Sequence, residues 1–132
     1  MLILVSVHEH QIAHRDIKPD NVLFSKTSGT YMIADLGVSH FFDDNTTDVL
    51  TKTEGTPPFF APECCVGERC LVGMCLCLDA LDVRVVSPGG GFSAKAVDVW
   101  ALGVTLFAFL AGRLPFYSSN MMQVFEDIQQ KP

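Results

Sequence analysis

The chain has 132 residues, 48% hydrophobic and 18% charged, with a formal net charge of −6. That size suits one domain with a modest core, the composition excludes an intrinsically disordered chain, and the acidic balance gives no support to nucleic-acid binding. Five cysteines without a secretory leader fit a reducing compartment, so an intracellular, cytoplasmic location is expected; no uninterrupted apolar run is long enough to predict a membrane span.

Met1–His10 starts with apolar residues and reads as the last turns of a helix, leading into a short strand at Gln11–Ala13. His14-Arg15-Asp16-Ile17-Lys18-Pro19-Asp20-Asn21 follows. Pro19 is expected to keep this stretch from winding into a helix. A loop of this kind can hold the Asp16 carboxylate, the Lys18 ammonium and the Asn21 amide oxygen on one rim. Phosphoryl transfer needs that trio: a carboxylate to orient the attacking hydroxyl, a cation near the moving phosphate and an oxygen ligand for Mg²⁺. Asn21–Ser25 and Thr30–Ala34 are short β-rich runs separated by turn residues, which predicts a hairpin that returns Asp35 beside Asn21. Asp35-Leu36-Gly37 supplies a second hard carboxylate, followed by a permissive glycine. Asp43–Thr53 reads as a polar surface loop and leads to Gly55-Thr56-Pro57-Pro58-Phe59-Phe60-Ala61-Pro62-Glu63.

All five cysteines fall in Cys64–Gly91. A zinc site is one reading, but the stretch has no histidine and no two C-x-x-C pairs, so small apolar fillers are expected instead. Within it, Cys70–Leu78 lacks charge and proline and has the character of a sticky segment, and Pro88–Gly91 reads as a tether. Ser93 should cap a helix from Ala94 to Ala111, ended by Gly112 with Pro115 beyond. This helix is apolar almost all round and is expected to be buried on most sides, while Lys95 and Asp98 leave a run too short to span a membrane. Met121–Gln130 predicts one more amphipathic helix.

The loop at His14–Asn21, with Asp35-Leu36-Gly37, Gly55-Thr56-Pro57, Ala61-Pro62-Glu63 and Asp98, resembles the catalytic domain of eukaryotic serine/threonine protein kinases. The wording of Ile33–Ser39 and Phe92–Leu106 is most similar to the calcium/calmodulin-dependent protein kinase kinases. The resemblance implies a mainly α fold with short β-hairpins, the large C-terminal lobe of a kinase with the N-terminal lobe absent. On it, residues 1–25 hold a helix end and the catalytic loop, 26–63 the metal loop and activation segment, 64–91 an atypical insert, and 92–132 a central buried helix and the start of the next.

Carried over by position, Asp16 would be the catalytic base, Lys18 would steady the γ-phosphate of ATP, and Asn21 and Asp35 would hold Mg²⁺. Leu23 would pack under the adenine, and Thr56 would position Asp16 and Lys18. His14 would pack against Leu36, Arg15 would grip a loop phosphate, Glu63 would pair with an arginine nearer the C-terminus, and Asp98 would accept hydrogen bonds from the catalytic-loop backbone. The usual phosphosite position is Lys52 here, with Thr51 and Thr53 as weaker substitutes. The implied cofactors are ATP and Mg²⁺, and the implied partner is a protein substrate; calmodulin binding is not assessable from these residues. A Gly-rich phosphate loop and a strand lysine are not found, so the chain by itself is expected to be inactive. A non-catalytic kinase-like binding module is the alternative. The insert, read as a retained intron translated in frame or as a docking surface, is expected to pack poorly.

Overall fold

The computed structural model describes residues 2–43, 47–65 and 91–130. In chain order these form helix α1 (Leu2–Glu9), strand β1 (Ile12–Ala13), strands β2 (Val22–Ser25) and β3 (Thr30–Ile33), β4 (His40–Phe41), β5 (Val49–Leu50), β6 (Phe92–Ser93), helix α2 (Ala94–Ala111) and helix α3 (Met121–Gln130). Among the described residues the strands make three two-stranded antiparallel sheets, β1–β4, β2–β3 and β5–β6. Only β2–β3 is a hairpin. The other two join strands far apart in sequence.

Local chemistry explains the elements that were expected. Ser93 Oγ accepts the Ala96 N–H at 3.1 Å, and Gly112, at φ +66°, ends α2 by donating its N–H to Ala108. Both are low-cost ways to satisfy helix-end groups that have no partner inside the helix. The hairpin pairs Val22 with Ile33 and Leu23 with Met32, and Gly29 takes the left-handed conformation its turn requires.

Two expectations are corrected here. Gln11 is not a strand residue: it sits at φ +58° in the turn after α1, and β1 is limited to Ile12–Ala13. The left-handed turn lets the Gln11 carbonyl accept from Phe42 and its side chain accept from Lys95. Pro19 does not exclude helix either. It heads a 3-10 turn at Pro19–Asn21, where its fixed φ is suitable and its missing N–H is not needed.

The core sits on one face of α2. Val97, Ala101 and Val104 pack with Ile17 and Phe60 and, from α3, Ile128. Phe60 stacks on Phe125 at 6.3 Å and Trp100 on Phe116 at 6.2 Å. Each fully buried aliphatic side chain contributes about 1.5–3 kcal/mol by leaving water, so this face holds the segment from Phe59 to Cys65 and α3 together. Cys64 and Cys65 are both part of this core. Burial pushes the Cys64 thiol up to about 12, so it is an inert filler there.

The opposite face of α2 departs from expectation. Val99, Leu106, Phe109 and Leu110 are exposed, Leu110 by 81%, so the helix is not buried on most sides. An apolar pattern running all round a helix cannot say which side is covered, and among the described residues the packing reaches only one. With 18 residues and a mean hydropathy of 1.6, α2 is also long and apolar enough to cross a membrane by length and composition, which corrects the expectation that its charges shorten it too far. In this fold both charges are engaged: Asp98 is fully buried, and Lys95 Nζ donates to His8 O at 3.0 Å and Gln11 Oε1 at 2.7 Å. The insert expectations, including Cys70, Cys75, Cys77 and the glycine tether up to Gly90, lie outside the described residues.

Candidate active site

The site is built outward from Asp98. Its Oδ1 accepts the Arg15 N–H and its Oδ2 the His14 N–H, both at 2.7 Å, and the His8 ring donates to Oδ2 at 2.9 Å. A carboxylate fixed on a core helix therefore anchors the backbone of the loop that leaves β1. His14 is itself fully buried. Its Nε2–H donates to Ala34 O at 3.0 Å, which leaves Nδ1 to accept the Asp16 N–H at 3.3 Å. One ring thus ties the start of the loop to the residue before Asp35.

Arg15 takes φ +70°, a conformation that costs a residue with a Cβ about 1–3 kcal/mol and persists only when its surroundings impose it. Here the Asp98 carboxylate holds its amide, and its guanidinium reaches Val38 O at 3.3 Å, Lys52 O at 2.9 Å and Glu54 Oε2 at 2.9 Å. The turn points Asp16 toward the segment that follows Gly55.

At Asp16 the contacts close into a triangle. Lys18 Nζ donates to Asp16 Oδ2 at 2.7 Å and to Thr56 Oγ1 at 2.9 Å, and the Thr56 hydroxyl donates to Asp16 Oδ1 at 2.6 Å. Asn21 Nδ2 adds bonds to Asp16 O at 2.8 Å and Oδ2 at 3.2 Å. Burial alone would raise the Asp16 carboxyl. The hydrogen bonds from Lys18 and Thr56, the Lys18 charge and the Asn21 amide together outweigh it and hold the group below its ordinary 3.8.

That direction sets a pH window. A depressed carboxyl stabilises the fold above its unfolded value, and this contribution is lost as pH falls through the lowered native value. Acid titration of the wild type should therefore show a stability loss beginning below 3.8 that Asp16→Asn does not share. Identical acid limbs for the two proteins in melting experiments would show that Asp16 is not held by these partners.

Asp35 is exposed, at φ +67°, and its Oδ1 accepts the Gly37 N–H at 3.1 Å. Ala34, the residue before Asp35, donates its N–H to Asn21 O at 2.9 Å at the base of the hairpin. Because the Asn21 amide nitrogen is turned to Asp16, its carbonyl oxygen is the end left for a ligand. Two hard oxygen donors at the base of one hairpin, with no cation paired to Asp35 among the described residues, suit Mg²⁺, which takes few protein ligands and keeps water or phosphate as the others.

The other expected residues lie outside this triangle. Leu36 is 56% exposed, and the His14 ring is held by the Ala34 carbonyl. Leu23 lies half exposed on β2 opposite Met32. Glu63 is exposed at the rim of an apolar groove of about 480 Å³ along α2, away from Asp16. Thr53 is only 3% exposed, so it cannot be modified in place, whereas Thr51 is exposed.

Sequence reasoning missed Glu54 and Asp48. Asp48 accepts from Ser93 Oγ and from the Lys95 N–H, and its carbonyl takes the Ala94 N–H at 2.8 Å, so the polar loop caps α2. No local signal marks that pairing. The alternation Lys52-Thr53-Glu54 directly before Gly55 was the available hint for Glu54.

Residues 3–74 match a family model described as the protein kinase domain. Among curated proteins, the chain is 37% identical over 129 residues to the serine/threonine-protein kinase GRIK2 of Arabidopsis thaliana, covering 98% of this chain and 26% of that protein. It is 40% identical over 141 residues to SNF1-activating kinase 1 of Saccharomyces cerevisiae, covering 100% of this chain and 12% of the relative. With the calcium/calmodulin-dependent protein kinase kinase cmkC of Emericella nidulans it shares 32% over 126 residues, 96% of this chain and 20% of the relative. The chain thus spans about a quarter or less of the length of these relatives.

Proposed function

The chain belongs to the protein kinase domain family, and from that premise we propose that it carries the base, cation and metal-ligand side of an ATP- and Mg²⁺-dependent phosphoryl transfer to serine or threonine hydroxyls of protein substrates. These residues then correspond to the C-terminal lobe. The closed triangle of Asp16, Lys18 and Thr56 is the observation that carries this reading.

The chemistry follows from the charges. Asp16 is ionised at neutral pH and accepts a hydrogen bond from the attacking hydroxyl, aiming its oxygen at the γ-phosphorus. As the new O–P bond forms and the bond to the ADP oxygen breaks, the hydroxyl proton passes to the Asp16 carboxylate. A lowered pKa makes Asp16 a weak base, so it contributes orientation more than early proton removal, which suits a loose transition state with little charge on the nucleophile. Lys18 lies beside this carboxylate and presents its charge to the transferred group. Asn21 and Asp35 would hold Mg²⁺, which would neutralise charge on the phosphate oxygens. Leu23 offers an apolar surface for adenine, and Thr56 keeps Asp16 and Lys18 in register.

The longest natural product of this reading frame, assayed with MgATP and serine/threonine peptides, should transfer phosphate. Asp16→Asn should lower kcat by roughly 10²–10⁴-fold, with little change in the KM for ATP. A variant as active as the wild type would show that Asp16 is not the base, and a wild type that transfers nothing would mean that the fold has kept the site for binding without catalysis.

A further inference from the structure

We propose that Glu54 is a positioning residue for Asp16: paired with Arg15, it holds the segment carrying Thr56 onto the loop carrying Asp16 in the unmodified chain, and it does so by filling an anion site on the Arg15 guanidinium. This rests on the kinase reading for its meaning, although the contacts stand without it.

Three consecutive residues grip the loop. Glu54 Oε2 meets the Arg15 guanidinium at 2.9 Å, Gly55 lies against the Arg15 carbonyl, and Thr56 bonds Asp16 at 2.6 Å. Register at Thr56 is therefore set immediately upstream, at the Glu54–Arg15 pair. The Arg15 side chain is only 9% exposed and Glu54 is 26% exposed. A guanidinium withdrawn from water needs its charge answered, and the two backbone carbonyls it also reaches, Val38 and Lys52, are neutral. The carboxylate that answers it is Glu54.

The second carboxylate oxygen is used as well. Lys52 Nζ meets Glu54 Oε1 at 3.0 Å, while the Lys52 carbonyl accepts from Arg15 Nη2 of the guanidinium at 2.9 Å. Lys52 and Glu54 therefore bracket the guanidinium from one strand of backbone, with Thr53 buried between them. The Lys52 pair is exposed and contributes little on its own. The Arg15 pair is the sheltered one, and it is the contact that fixes the segment.

If Glu54 fills an anion site, a free anion should replace it. In Glu54→Ala, amide exchange at residues 53–56 should rise about fivefold, with protection in α2 unchanged. The ¹³C resonance of the Asp16 carboxyl, which reads the Thr56 hydroxyl, should shift with it. Inorganic phosphate should reverse both effects, whereas chloride at equal ionic strength should not, and the double variant Arg15→Gln/Glu54→Ala should not respond to phosphate. Glu54→Gln, which keeps the shape without the charge, should behave like Glu54→Ala and guards against simple misfolding. The proposal is overturned by unchanged exchange in both single variants, by uniform loss of protection throughout the fold, or by a phosphate response that persists in the double variant. None of these readouts uses nucleotide, so failure of phosphotransfer with the rescue intact would refute the catalytic reading alone.

Discussion

Asp98→Ala is expected to be the most damaging single change for stability, although Asp98 touches no reacting group. Removing its carboxylate leaves the His14 and Arg15 amides, now held at 2.7 Å, facing a dry core without acceptors. Each buried donor so orphaned costs about 1–3 kcal/mol, which for a domain of this size lowers Tm by roughly 10 °C. The His8 ring loses its acceptor as well. Asp98→Asn should recover only part of the loss, because the amide offers one acceptor oxygen where the loop presents a donor to each carboxylate oxygen. Thermal melts of the three proteins check this. A Tm for Asp98→Ala within error of the wild type would show that α2 does not anchor the loop.

Gly55→Ala is expected to have the largest effect on the site itself. Gly55 sits at φ +118°, and a Cβ built there would lie 2.3 Å from the Arg15 carbonyl oxygen and 3.5 Å from Asp16 Oδ1. The obstructing atom is backbone, so the segment must move instead, and it carries Thr56 away from Asp16. A displacement of about 1 Å at a catalytic group can cost about 10²-fold in rate, and the backbone strain adds about 1–3 kcal/mol of instability. Gly29→Ala is the control: its φ is +66°, but nothing lies within 4 Å of the added Cβ. It should pay only the conformational cost, about 1 kcal/mol, and leave phosphotransfer unchanged. Equal kinetic effects from the two glycine variants would show that crowding at Arg15 is not what makes Gly55 necessary.

The elements legible in the sequence are those whose causes are local. α2 runs from Ala94 to Ala111 because Ser93 caps it and Gly112 ends it, and both devices act within four residues of the helix end. The β2–β3 hairpin and the Met121–Gln130 helix were legible for the same reason: a turn sequence and an amphipathic repeat are properties of short windows. Asp16, Lys18 and Asn21 lie within six positions of one another, so their convergence needed no knowledge of the fold.

What escaped the sequence depends on partners distant along the chain or on conformations with no glycine to mark them. Ile12 pairs with Phe41 and Val49 with Ser93, two-residue ladders too short to leave an alternating pattern. Arg15 and Asp35 adopt positive φ because Asp98, Ala34 and the loop around them impose it, not because their own chemistry favours it. The same holds for Glu54. As a residue it is one more charge in a polar stretch, and it becomes the partner of Arg15 only once β5 pairs with β6 and the core takes Thr53 and Phe59, bringing residue 54 to residue 15. An all-round apolar α2 likewise could not reveal its covered face. That choice belongs to the packing of Ile17, Phe60 and Ile128, which bury one side of the helix and leave the other exposed.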